Sequence, residues 1–342
     1  MANHIEYIDA LRGFAMLLVV LFHVPIYCYH QTDEITFSMI PSIFHLALFF
    51  FISGWFCKIR SIVSWRLVQQ KFLQLIVPTV VFYLLYCWLQ DIDIIDNLWS
   101  DKFKAGYWFC IVLFCFNLLM IVLGRLKGRG GEIFGVSVSL CAMMLNTNAV
   151  TRLLTELNIP NVLCVQQWQY FIFFYMGNLA HRYQEHIFVW LDNGRIMAIS
   201  VLLFFGSLLV YYKQPMGLFE IKTTFILWGG LGTILSFAFF RKYKDIFCRK
   251  TYVGRTLQYI GRRTLDVYLL QFFFLPKNLS GLGAILMGNG NQTVELFVSF
   301  VIAMMVVALS LLMGIIIRLS PTLAYWTLGQ KRDQKKTSSD EI

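Results

Sequence analysis

The chain has 342 residues, of which 58% are hydrophobic and 14% charged, where soluble domains carry about a quarter charged residues. With a mean hydropathy of +0.64, this excludes an ordinary water-soluble domain and makes the membrane the solvent. The net charge of +10 reflects membrane topology rather than nucleic-acid binding, because the Lys and Arg fall in short connectors between apolar runs.

A helix crosses the hydrocarbon core with about 20 mostly apolar residues. By that measure the sequence predicts an all-α, polytopic transmembrane bundle of about ten spans. The opening MANHIEYIDALRG has no basic n-region and no small-residue cleavage site follows it, so the first span, 11–29, is expected to be retained. Spans follow at 39–57, 72–90, 107–124, 133–145, 168–180, 196–212, 223–240, 264–275 and 294–317. The fifth, sixth and ninth are short for a full crossing, and broken or re-entrant segments are open to them. The connectors 58–71, 125–129, 182–195 and 241–263, with the tail from Arg318, hold most of the Lys and Arg. The opposite connectors carry Asp91, Asp93, Asp96, Asp101, Glu156 and Glu220. The positive-inside rule then puts both termini in the cytoplasm. Residues 1–317 form the membrane-embedded domain, and 318–342 a basic cytoplasmic tail expected to be disordered.

Ionisable side chains inside spans are costly and mark functional positions by default. Arg12 and His23 lie eleven residues apart on the first span, which brings them within about 20° of one helix face at levels about 16 Å apart. Asp9 is one turn before Arg12, placed to pair with it. The competing reading of Arg12 is a snorkelling anchor, and that of His23 a structural hydrogen bond to a carbonyl. In the second span His45 sits at the depth of His23. Ser53 and Gly54 fall near the level of Arg12, where the missing side chain admits either a ligand or a packed helix. Lys58, Arg60, Arg66 and Lys71 make a basic rim beyond that span, which topology alone also explains. Trp108, at the outer end of the fourth span, falls where an interfacial aromatic belt is expected. Eight cysteines are scattered without metal-ligand spacing, so no metal is expected; Cys28, Cys87 and Cys164 fall near the outer face, where one disulfide is open to them.

The string YIDALRGFAMLLVVLFH, followed by HLALFFFISGWF, resembles the acyltransferase 3 family of integral membrane O-acyltransferases. Asp9, Leu11, Arg12, Gly13, His23, His45, Phe49, Phe50, Ser53 and Gly54 carry the likeness, and looser agreement continues through Pro78, the Tyr107–Phe109 triplet, the stretch around Gly177 and YIGRRTLDVYLLQ. Gln271 stands where members often have a His, Ala47 where a Pro is common, and the basic run before Pro78 is reduced to Lys71. The resemblance implies transfer of an acyl group, commonly acetyl, from cytoplasmic acyl-CoA to a hydroxyl of a cell-envelope carbohydrate, by a multi-pass protein of the inner (cytoplasmic) cell membrane. Within it, His23 is the candidate general base, with Arg12 and His45 as catalytic partners. Arg12, Ser53, Gly54 and Lys71 are candidates for the donor side, and Asp9 and Trp108 for substrate contacts. The rival readings are a transporter or flippase for an anionic or glycan substrate, which would also line a pathway with Arg and His, and a non-catalytic membrane scaffold.

Overall fold

A computed structural model describes residues 5–30, 37–57, 65–101, 103–126, 128–145, 148–211, 218–288 and 290–330. Among them every regular element is helical. In chain order these are α1 (Glu6–Tyr27), α2 (His45–Trp55), α3 (Trp65–Lys71), α4 (Val77–Leu89), α5 (Ile94–Ser100), α6 (Trp108–Leu123), α7 (Gly128–Met143), α8 (Asn148–Glu156) and α9 (Phe171–Arg182). They continue with α10 (Gln184–Leu191), α11 (Gly194–Tyr211), α12 (Leu218–Lys242), α13 (Tyr252–Arg262), α14 (Thr264–Phe274), α15 (Ser280–Gly288), α16 (Gln292–Arg318) and α17 (Pro321–Leu328). Lys58 and Arg60 of the expected basic rim, and residues 331–342 of the expected tail 318–342, lie outside the described residues; the first part of that tail is helical rather than disordered, with Arg318 closing α16 and Pro321–Leu328 forming α17.

Among the described residues three stretches are long and apolar enough to cross a membrane alone: Glu6–Tyr27, Trp65–Leu89 and Gln292–Arg318. Two bent pairs, Phe37–Ile43 with His45–Trp55 and Gln184–Leu191 with Gly194–Ser207, bring the number to five if each counts as one span. The protein is thus a helical membrane protein in which several expected spans are assembled from shorter pieces. The second expected span is one of these. Its first part is a 3-10 turn, Phe37–Ile43, containing Pro41. Pro has no N–H to continue an α-helical ladder, and the chain bends by 43° before α2 begins at His45. The third expected span starts earlier than its hydropathy suggests, because α3 and α4 run on through a π turn, Phe72–Ile76. Pro78 falls in the first turn of α4, where its missing N–H is no loss.

Two backbone-to-backbone helix crossings build the centre. At the first, Gly13 of α1 meets α13 at Gly261: a methyl group at Gly13 would overlap the Leu257 carbonyl, and one at Gly261 would overlap that of Asp9. At the second, α2 crosses α9, with Gly54 against the Phe174 carbonyl and Gly177 against that of Phe51. In lipid, where burying apolar side chains brings no gain over contact with acyl tails, close backbone approach through small residues is what holds helices together. Large apolar side chains such as Leu84, Leu85 and Trp88 on α4, and Phe297, Val301 and Leu312 on α16, remain exposed on the outside of the bundle. All eight cysteines are free.

The segment before α6 is fixed by polar contacts. Lys104 is buried, and its ammonium donates to the carbonyls of Asn97, Leu98 and Asp101 at the end of α5. Burial pushes this ammonium down from its ordinary pKa. Gly106 follows with φ +98°, beside the Phe272 ring, where a side chain would collide. The next residue, Tyr107, donates its hydroxyl to the Leu269 carbonyl of α14 at 3.0 Å. Tyr268 of α14 completes the tie by donating to the Gly106 carbonyl and accepting from the Phe109 N–H, each at 3.1 Å.

Candidate active site

These helices enclose a cavity of about 780 Å³, within the usual range for small-molecule sites. Its wall carries a polar, mostly cationic set, Arg12, Lys71, Gln74, Arg262, Arg263, Asp266, Arg318 and Gln330, and an aromatic and amide set with Ser42, Phe103, Trp108, Gln167 and Tyr170. His23 and His45 are on the same wall, so Arg12 and His23 do face one cavity as helical periodicity predicts.

His23 is on the last turns of α1. Its Nδ1 lies 3.1 Å from Oε1 of Gln271 on α14. The Gln271 amide is fully buried and its Nε2 donates to the Tyr268 carbonyl at 3.3 Å, which turns the amide oxygen toward His23. An amide oxygen only accepts, so the neutral imidazole carries its proton on Nδ1 and leaves Nε2 as the acceptor. The rings of Phe22, Tyr27 and Phe272 pack at 5.7, 5.6 and 5.3 Å from the imidazole centroid.

His45 is arranged the same way. The Pro41 carbonyl accepts both the Phe44 N–H at 3.1 Å and His45 Nδ1–H at 2.9 Å, again leaving Nε2 as the acceptor. Phe22 stands beside both imidazoles, 5.1 Å from that of His45. Two histidines with Nδ1 engaged on the protein can each take a proton or accept a hydrogen bond at Nε2.

The remaining residues singled out in the sequence fall in different places. Lys71 and Ser53 are on the cavity wall, with the Ser53 hydroxyl donated back to the Phe49 carbonyl at 2.9 Å. Gly54 belongs to the α2–α9 crossing and is not part of the wall. Asp9 is buried and reaches Arg262 of α13, with Oδ2 3.8 Å from Nη1, so its carboxylate ties α1 to α13 rather than lining the cavity. Trp108 is on the wall, 8% exposed, and packs against Phe50 and Tyr170.

Sequence reasoning passed over Gln271, Arg262, Arg263 and Arg318. The first was visible only as a departure from a His. The three arginines read as topology charges in connectors, and the folded chain turns them onto the cavity wall. Arg318 is held by a two-pronged contact with Asp266, at 2.5 and 2.7 Å, and by the Gly314 carbonyl at 2.9 Å. Among the described residues no group of three or more His, Cys, Asp or Glu is placed to hold a metal ion.

Comparison with known proteins adds one finding. A family model described as an acyltransferase domain, that of the acyltransferase 3 family, matches residues 5–313, nearly the whole chain. No curated protein and no solved structure matches.

Proposed function

The chain belongs to the acyltransferase 3 family of membrane acyltransferases, and from that premise we propose that it transfers an acyl group, acetyl foremost, from acyl-CoA to a hydroxyl of a cell-envelope carbohydrate. The observation that carries this reading is a single cavity whose wall holds a group of cations, a set of aromatic and amide side chains, and His23. Coenzyme A is multiply anionic at its nucleotide end and thin along its pantetheine arm. The cations suit the phosphates, and the arm then delivers the thioester to the histidines. Aromatic faces with a few amides and hydroxyls, as at Trp108, Tyr170, Gln167 and Ser42, suit the apolar faces and hydroxyls of a sugar ring.

By the positive-inside rule we read the cations as facing the cytoplasm, where acyl-CoA is made, with about ten crossings and both termini on the cytoplasmic side of the inner membrane. The acceptor then enters from the opposite side, as a lipid-linked or surface glycan unit.

The chemistry requires one proton acceptor and one place for developing negative charge. The acceptor hydroxyl gives its proton to His23 Nε2 as its oxygen attacks the thioester carbonyl. The tetrahedral intermediate collapses with cleavage of the C–S bond. The proton on His23 passes to the departing sulfur, which regenerates the neutral imidazole and yields the ester and the free thiol. Gln271 keeps the proton on Nδ1 throughout and so keeps Nε2 directed at the reacting atoms. A hydroxyl of the sugar donating to His45 Nε2 positions the acceptor for the same step, while Arg12, about 16 Å from His23 along the first helix, acts on the anionic end of the donor.

Mass spectrometry of surface glycans from cells with and without the gene tests the reading. Loss of an acyl mass increment that returns on complementation is expected; an unchanged glycan mass profile, with altered glycan export, would favour a transporter.

A further inference from the structure

The cations on the cavity wall are not equivalent. Five line the cavity: Arg12, Lys71, Arg262, Arg263 and Arg318. Two of them have carboxylate partners. Asp9 faces Arg262 at 3.8 Å, and Asp266 grips Arg318 through both oxygens. For Arg12, Lys71 and Arg263 no carboxylate lies within ion-pair distance among the described residues, and Asp266 is the sole acidic residue on the wall. Arg12 lies in the field of Asp9, while Lys71 and Arg263 have no carboxylate partner among the described residues, so the wall keeps a net positive charge that is complementary to a multiply anionic ligand.

Arg263 differs again from the other two. It is the single residue joining α13 to α14, with φ −122° and ψ 26°, so the helix breaks there and the side chain sits at the corner of the cavity wall. Its guanidinium stacks over the Tyr259 ring, 4.7 Å from the centroid, which holds the plane without using its hydrogen bonds. Nη1 is buried and has no hydrogen-bond acceptor among the described residues. A buried charged donor left without an acceptor is costly, and a planar, pre-positioned guanidinium is the group that best grips an oxyanion in two-pronged fashion.

We propose that Arg263 is the phosphate-gripping residue of this cavity and binds a phosphate group of a nucleotide-bearing donor, while Arg318 is held by Asp266 and Arg262 faces Asp9. Arg12 and Lys71 contribute the remaining positive field. The proposal rests on the reading of the cavity as an acyl-CoA site and assigns the residue within it that recognises the donor's anionic end.

The test measures donor binding by purified full-length protein in detergent with three probes: CoA, dephospho-CoA and S-acetylpantetheine, which has no nucleotide. Arg263→Gln is expected to weaken CoA at least tenfold and to leave S-acetylpantetheine unchanged. Weakening of dephospho-CoA by the same factor assigns Arg263 to the diphosphate bridge, and an unchanged affinity assigns it to the 3′-phosphate. Equal CoA affinity in the folded variant and the parent overturns the proposal. A second measurement needs no variant: phenylglyoxal modification of the parent protein, mapped by peptide mass spectrometry. CoA is expected to protect Arg263, whereas S-acetylpantetheine does not; full modification of Arg263 with CoA bound overturns the assignment. Failure of the acyl-CoA reading looks different. Inorganic pyrophosphate would then protect Arg263 while CoA shows no binding to the parent protein.

Discussion

Nδ1 of His23 lies 3.1 Å from Oε1 of Gln271, across the contact between the first helix and α14 and over 248 positions of sequence. The contact matters because Gln271 is itself fixed from behind. Its amide nitrogen donates to Tyr268, whose hydroxyl is in turn bonded to Gly106 and Phe109 at the start of α6. The proton on His23 is therefore placed by a chain of hydrogen bonds reaching three helices, and no charged residue is required to do it.

Gln271→Leu removes the acceptor while keeping much of the volume. Orientation of a general base by its partner contributes on the order of 10- to 100-fold, so kcat should fall by about that much with little change in donor KM. Gln271→His keeps an acceptor within reach and should recover most of the rate. Steady-state kinetics on the three proteins check this; a KM effect without a kcat effect would assign Gln271 to binding instead.

The Arg318–Asp266 pair should behave as a buried ion pair, with side chains 20% and 3% exposed. Removing one partner of such a pair costs about 3–5 kcal/mol, whereas replacing both with apolar groups costs much less. Asp266→Ala should sharply lower the thermal unfolding midpoint in detergent, and Asp266→Leu combined with Arg318→Met should restore much of the loss. Equal destabilisation by the single and double changes would show that the pair does not act as a unit.

Gly261→Val should abolish assembly of the bundle, because the added side chain would drive into the Asp9 carbonyl where α13 crosses the first helix. Gly130→Ala is the matching control, since no heavy atom lies within 4 Å of where its Cβ would be. Monodispersity on size-exclusion chromatography after detergent extraction distinguishes the two; a monodisperse Gly261→Val protein would mean that the crossing yields easily.

Glu295 is buried at the other end of α16, where its carboxylate accepts from the Ser38 hydroxyl at 2.6 Å and the Ser299 hydroxyl at 2.8 Å. Tyr29 on the segment after the first helix reaches the same group through Ser299 at 3.1 Å. Glu295→Ala removes the carboxylate that accepts from Ser38 and Ser299 and should destabilise the protein by about 1–3 kcal/mol, with Glu295→Gln losing less. Thermal unfolding of both variants is the check.

Several of these features were legible in the sequence and others were not, for physical reasons. The first helix could be read directly because its apolar run is unbroken, and the 3.6-residue period then put Arg12 and His23 on one wall. His45 joined them because depth in a span can be counted from either end. The break before His45 was harder to read: a Pro inside an apolar run is tolerated in membranes, so hydropathy shows one span where the chain makes a 3-10 turn and a bend. Gly54 was ambiguous for a related reason, since a missing side chain serves a ligand and a crossing helix equally, and the Phe174 carbonyl occupies the space. Gln271 carried no charge to mark it in an apolar segment, and its meaning comes from a partner far away in the chain. Arg262, Arg263 and Arg318 were hidden by the positive-inside pattern, which explains any basic connector without saying which side chains turn inward.

The most direct test of the account is acyl transfer by His23→Gln, measured beside CoA binding by the same purified protein. With labelled acetyl-CoA and an envelope glycan fraction, the transfer rate should fall by about 100-fold or more, with CoA affinity within about twofold of the parent. A folded His23→Gln protein that transfers acetyl at the full rate would contradict it.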